Sequence, residues 1–143
     1  SESVDYILCD NVLEHLPMRD IPRAIFEMRR ILKTGGRCVI IVPDFADIAR
    51  QWIEFDSGRF NPIMWIWFAE IIYGNQYHEG EYHRCPMSKG FVNYVVQTAG
   101  FLNYQMVIYP MGSAIETGKY PGVARFEGGD TLRNQMIIVD ITK

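Results

Sequence analysis

Val4-Asp5-Tyr6-Ile7-Leu8-Cys9-Asp10, the apolar stripe Ile21, Ile25, Met28 and Leu32, and Arg37-Cys38-Val39-Ile40-Ile41-Val42-Pro43 together decide the fold. The first run is short, apolar and ends on a polar residue, as a strand does. The stripe recurs at helical spacing, and Pro22 is tolerated in a first turn for which Asp20 is a plausible N-cap. Arg29, Arg30 and Lys33 crowd the last turns, where cations suit the helix dipole, and Gly35-Gly36 is expected to end the helix. The run from Arg37 to Val42 shows no polar alternation, which predicts a strand covered on both faces and stopped by Pro43. Strand, helix and strand in this order make a βαβ unit, so the sheet is at least partly parallel.

Working outward, Asp44 can cap a helix bearing Phe45, Ile48, Ala49, Trp52 and Ile53, broken at Asp56-Ser57-Gly58. Asn61-Pro62 opens a second helix, Ile63 to Tyr73, apolar nearly all round but for Glu70. Such a helix is expected to be buried on both sides, to lie over a ligand or to meet a partner. Ser88 caps a helix with Phe91, Val92, Val95, Val96 and Ala99, ended by Gly100. Leu102 to Tyr109 and Gln135 to Thr142 are the last two strands. The connection between them carries Gly112, Gly118, Gly122, Gly128 and Gly129, and a loop that long is expected to be functional or unordered.

Composition narrows the class. The net charge of −3 offers no electrostatic reason to bind nucleic acid. Cys9, Cys38 and Cys85 are odd in number without metal-type spacing, and two sit in apolar runs, which argues for buried thiols in a reducing compartment. No signal-like opening and no apolar run of membrane-spanning length is present, so a cytoplasmic location with no membrane partner is the expectation.

The order Asp5-Tyr6-Ile7, Asn11-Val12-Leu13-Glu14-His15-Leu16-Pro17, Arg29-Arg30-Ile31-Leu32-Lys33-Thr34-Gly35-Gly36-Arg37 and Ile41-Val42-Pro43-Asp44 is similar to class I S-adenosylmethionine-dependent methyltransferases. Ala99-Gly100-Phe101 and the strand after it extend the likeness. The resemblance implies an α/β fold: a partial Rossmann-like sheet of the family's strands four to seven, the last antiparallel. It implies a single domain over residues 1–143, the C-terminal portion of a methyltransferase domain, with residues 44–86 as a helical insertion or lid. The family's Gly-rich cofactor loop is not in this sequence, which has no Gly-x-Gly. The chain is therefore expected to be a truncated piece, inactive alone, with weak or absent S-adenosylmethionine binding.

Ligands of open α/β sheets lie beyond the carboxyl ends of the strands. By the resemblance, Cys9, Asp10, Asn11 and Val12 meet the cofactor, while Pro43, Asp44 and Phe45 face the substrate, with Trp52 and Tyr73 over it. Asp10 and Asn11 could instead only close a turn, and Asp44 only cap a helix. For an oxygen or nitrogen acceptor that needs a base, His83, His15 and Asp44 are the candidates. The acceptor is expected to be a small molecule or sugar. Small-RNA and ubiquinone-pathway methyltransferases bind a divalent ion through Glu-x-x-Glu-His at this place. Here Asn11 stands for the first acid, and the stretch His78 to Cys85 matches no strong zinc pattern, so no metal is expected. The uncovered edge of Val4 to Cys9 predicts a homodimer or higher oligomer. The competing class is a non-catalytic, methyltransferase-like interaction module.

Overall fold

The computed structural model describes residues 2–56, 61–109 and 136–143. Strand β1 (Val4–Asp10) leads through two 3₁₀ turns, Leu13–His15 and Met18–Asp20, into helix α1 (Ile21–Ile31). Strand β2 (Leu32–Pro43) follows, then helices α2 (Phe45–Asp56) and α3 (Pro62–Tyr73), a 3₁₀ turn at Glu79–Glu81, helix α4 (Lys89–Thr98), and strands β3 (Tyr104–Tyr109) and β4 (Met136–Thr142). The four strands lie in the order β1-β2-β4-β3. β1 and β2 are parallel, as a helical crossover requires, and β4 runs antiparallel to both its neighbours. The predicted mixed sheet with an antiparallel last strand is therefore present.

Side-chain alternation on β2 and β4 builds a core on each face of the sheet. Cys38, Ile40 and Val42 join Ile137, Val139 and Ile141 under α1 and α4, with Ile21, Ile25, Val92, Val95 and Val96. Val39, Ile41, Met136 and Ile138 form the opposite cluster, packed by Tyr6, Leu8 and Tyr109. Both central strands are thus covered on two faces, which is why Arg37 to Val42 carries no alternation in sequence.

Helix ends depart from the sequence expectations in two places. α1 stops at Ile31, before the glycines, because Leu32 has already turned to an extended conformation. Gly35, with φ of 77°, donates its N–H to the Lys143 carbonyl at 2.7 Å, so the glycines serve the sheet margin instead. The irregularity shows in the register, where Val4 pairs with Leu32 but Tyr6 with Arg37. Asp20 makes no side-chain cap; a 3₁₀ turn precedes it, and its N–H bonds the Pro17 carbonyl. By contrast Ser88 caps α4 through Phe91 N–H, as expected, and Asn61, at the expected start of α3, caps it through Ile63 N–H. Of the three settings expected for α3, burial on both sides is not the one the described residues show. Ile63, Met64, Trp65 and Ile66 are exposed, and only Phe68 is buried, between Trp52, Phe55 and Trp67. No helix of the described residues is long and apolar enough to cross a membrane. The glycine-bearing connection lies outside the described residues.

Candidate functional site

Parallel pairing of β1 with β2 brings their carboxyl ends side by side, Asp10 opposite Ile41. The chain turns sharply off β1 at Asn11, whose φ of 50° is one an asparagine tolerates better than most residues. Asn11 donates its backbone N–H to Ile41 and its side-chain amide to an Asp10 carboxylate oxygen at 2.9 Å. Burial raises the Asp10 carboxyl above the usual range, and the Asn11 bond partly offsets this. Burial also pushes the Cys9 thiol up to about 12, with Glu14 and Asp10 adding to the rise, so Cys9 is an inert neutral wall. Val12 is exposed at the loop tip. The four residues expected at the cofactor thus form one continuous wall and loop.

At the end of β2, Pro43 closes the strand opposite Met136, and Asp44 is buried. Its carboxylate accepts the Ala46 N–H at 3.1 Å and its carbonyl accepts Asp47 and Ile48 N–H. Asp44 is thus engaged in starting α2, with Phe45 N–H bonded to the Met87 carbonyl. Trp52 packs edge-on against Phe68, and Tyr73 is exposed at the end of α3.

Next along the β1 loop come Glu14 and His15, in the 3₁₀ turn held by His15 N–H to the Val12 carbonyl and Leu16 N–H to the Leu13 carbonyl. The Glu14 carbonyl accepts two amides from a distant segment, Arg84 N–H at 2.7 Å and Cys85 N–H at 3.1 Å. Those two hydrogen bonds to one carbonyl bring His83 against His15, their ring centroids 4.7 Å apart at 75°. His83 is fixed twice more, its N–H on the Tyr73 carbonyl at 3.0 Å and Nδ1 against the Ile71 carbonyl at 2.7 Å. The close approach demands Gly74, with φ of 80°: a Cβ there would lie 1.7 Å from the Glu81 carbonyl oxygen. His15 Nδ1 lies 3.2 Å from the Tyr82 carbonyl. A carbonyl can only accept, so both Nδ1 atoms carry a proton, which leaves Nε2 as the nitrogen that bears the lone pair whenever the ring is neutral.

Glu14 is 2 % exposed, and neither carboxylate oxygen has a hydrogen-bond partner. Burial pushes its carboxyl up to about 7, lowered somewhat by its own backbone amide and raised further by Asp10. One ligand atom each from Glu14, His15 and His83 lies within 4.8 Å of the others, a set capable of holding a metal ion. Burial, the first cause, holds the His83 imidazole below its usual range; the Ile71 bond opposes this and His15 reinforces it. The two histidines picked out in the sequence are therefore brought together. In the sequence Glu14 and His15 stand as the remaining part of a Glu-x-x-Glu-His set, for which no metal was expected, and Glu14 was not among the residues assigned to the site.

This strand order and the antiparallel β4 are those of class I, Rossmann-like methyltransferases, and the chain carries that fold over its four strands. Residues 1–40 match the methyltransferase domain family. A S-adenosylmethionine-dependent methyltransferase from Archaeoglobus fulgidus superposes with a TM-score of 0.59 at 12% identity, over 99% of this chain and 60% of its own. A methyltransferase from Thermotoga maritima, described as a possible histamine N-methyltransferase, gives 0.57 at 17% identity, over 99% and 56%. The chain thus spans less than two thirds of the length of either. No curated protein matches its sequence.

Proposed function

We propose that this chain supplies the acceptor side of an S-adenosylmethionine-dependent methyl-transfer site, for a small-molecule or sugar acceptor. The observation that carries the proposal is the β1-β2-β4-β3 order with antiparallel β4, joined to a methyltransferase match over the β1-to-β2 unit. The residues at the end of β1 fit the methionine end of the cofactor: Cys9 and Val12 are apolar there, and Asp10 offers a half-buried acceptor. The Gly-rich loop is not among these residues, so the contact proposed for this chain is confined to the methionine end of the cofactor.

The bound cofactor supplies an electrophilic methyl carbon on a sulfonium leaving group. The chain then has to align the acceptor, exclude water and take up a proton. His83 suits the last task. Its Nδ1 proton is committed to Ile71, Nε2 keeps the lone pair, and burial favours the neutral ring. A proton leaving an acceptor hydroxyl or amine would be held at that Nε2.

Ultraviolet crosslinking of radiolabelled S-adenosylmethionine at millimolar concentration tests the site. Label in the peptide containing residues 9–12, competed by S-adenosylhomocysteine, is expected; label absent from that peptide, or indifferent to competitor, sinks the assignment. A second function rests on a different observation. Among the described strands β1 stands at one end of the sheet, with β2 its strand neighbour. A second copy pairing there would make a dimer, and a monomer by light scattering at micromolar concentration would exclude it.

A further inference from the structure

We propose that Glu14, His15 and His83 form a divalent transition-metal site with an open coordination position beside the proposed methyl-acceptor site. Sequence spacing gave no expectation of a metal, because Asn11 stands where the first acid would be and the stretch His78 to Cys85, which offers further ligands, matches no strong zinc pattern. Geometry supplies what spacing lacked.

Three observations converge. First, a fully buried carboxylate with both oxygens unpartnered is costly unless something positive meets it. No lysine or arginine bonds it among the described residues, and the groups facing it are two imidazoles. Second, both imidazoles have Nδ1 against a backbone carbonyl, Tyr82 for His15 and Ile71 for His83. This is the outer-shell arrangement that fixes a metal-binding histidine in its Nε2 tautomer. Third, the ligand atoms lie within 4.8 Å of one another. Around a tetrahedral zinc with ligand bonds near 2 Å, such atoms stand about 3.3 Å apart. Inward side-chain rotations of about 1 Å close the difference, and the Glu14 carbonyl staple and Gly74 hold the backbone for it.

Two histidines and one carboxylate favour zinc and its borderline neighbours over magnesium or calcium, which prefer all-oxygen shells. Three protein ligands leave at least one position free. One carboxylate on a dication leaves a net positive site, which would attract a hydroxyl-bearing acceptor and lower that hydroxyl's pKa so that its proton is lost to solvent; His83 Nε2, then a ligand, would hold the proton only in the metal-free site. The acceptor class thus narrows to oxygen nucleophiles. That last step rests on the methyl-transfer proposal, whereas ion binding does not.

Cobalt(II) is the probe, added to the metal-free chain without cofactor. Visible d–d bands saturating at one equivalent, displaced by zinc, are expected. Glu14→Gln keeps the shape of the side chain and should weaken cobalt binding at least tenfold; His83→Ala should do the same. Zinc should raise the thermal midpoint of the wild-type chain and leave that of Glu14→Gln unmoved, a readout independent of colour. Absence of bands, equal affinity in both variants, or a near-ultraviolet thiolate charge-transfer band placing the ion on cysteine would each overturn the site. Cobalt binding without crosslinking at residues 9–12 would keep the metal site and sink the methyl-transfer reading; the reverse pattern would do the opposite.

Discussion

The β2–β4 seam and the turn after β1 each draw a carboxylate out of water, and they treat it in opposite ways. At the seam, Arg37 and Asp140 join through two parallel bonds, Nε and Nη2 to the two carboxylate oxygens, each 2.8 Å. At the turn, Glu14 is more deeply buried and has no such partner. Folding alone explains the first arrangement, since a fork-shaped guanidinium satisfies both oxygens at once. The second gains nothing for the fold by itself. A chain that can pair an acid so completely in one place, and leaves another acid bare between two oriented imidazoles, separates structural from functional polarity.

The largest expected effect tests the seam's apolar side. Ile40 is fully buried between β1 and β4, so Ile40→Ala should cost about 2–5 kcal/mol in denaturant unfolding. A loss well under 1 kcal/mol would mean that the seam is not the core.

A smaller effect, of the opposite direction, is expected at the turn. Burial pushes the Glu14 carboxyl up to about 7 in the folded chain from an ordinary 4.5, so the folded chain holds its proton more tightly than the unfolded one. That stabilisation is complete below pH 4.5 and is lost as pH rises through about 7. Metal-free Glu14→Gln should therefore lose this part of the pH dependence and exceed the wild type by about 1–3 kcal/mol at pH 8. Identical pH–stability curves for the two chains would show that Glu14 is solvated after all. Smallest of the three, Asp140→Asn should cost about 1 kcal/mol, because the Arg37 pair is only partly buried. Should Asp140→Asn prove the costlier of the two acid replacements above pH 7 by several kcal/mol, the contrast would stand sharper; should it be silent, the seam pair is ornamental.

The sheet was legible because its signals are local. Val4 to Asp10 and Arg37 to Val42 announce strands by apolar density, and Ile21, Ile25 and Met28 announce a helix by spacing. Asn61 and Ser88 cap where their side chains can reach the backbone two or three residues on. Gly35-Gly36 misled because a glycine pair signals a break without saying which element it belongs to; its bond to Lys143 is a contact across the sheet. At α3 the apolar composition marked a surface that calls for cover without saying whether core, ligand or partner supplies it, and the core of this chain does not. The site divides along the same line. Residues 9–12 followed from strand polarity, and the histidines from their chemistry. The coming together of Glu14, His15 and His83 depends on a bond from Arg84 to Glu14 across the fold, which no spacing rule contains.

The paired amides on the Glu14 carbonyl give the molecule its own reporters. Deuterium uptake at Arg84 and Cys85 requires that staple to open, so the two sites should exchange as a unit, with a protection that climbs when an ion settles nearby. A pair of isotopic clocks is thereby built into the backbone, readable without any knowledge of the substrate.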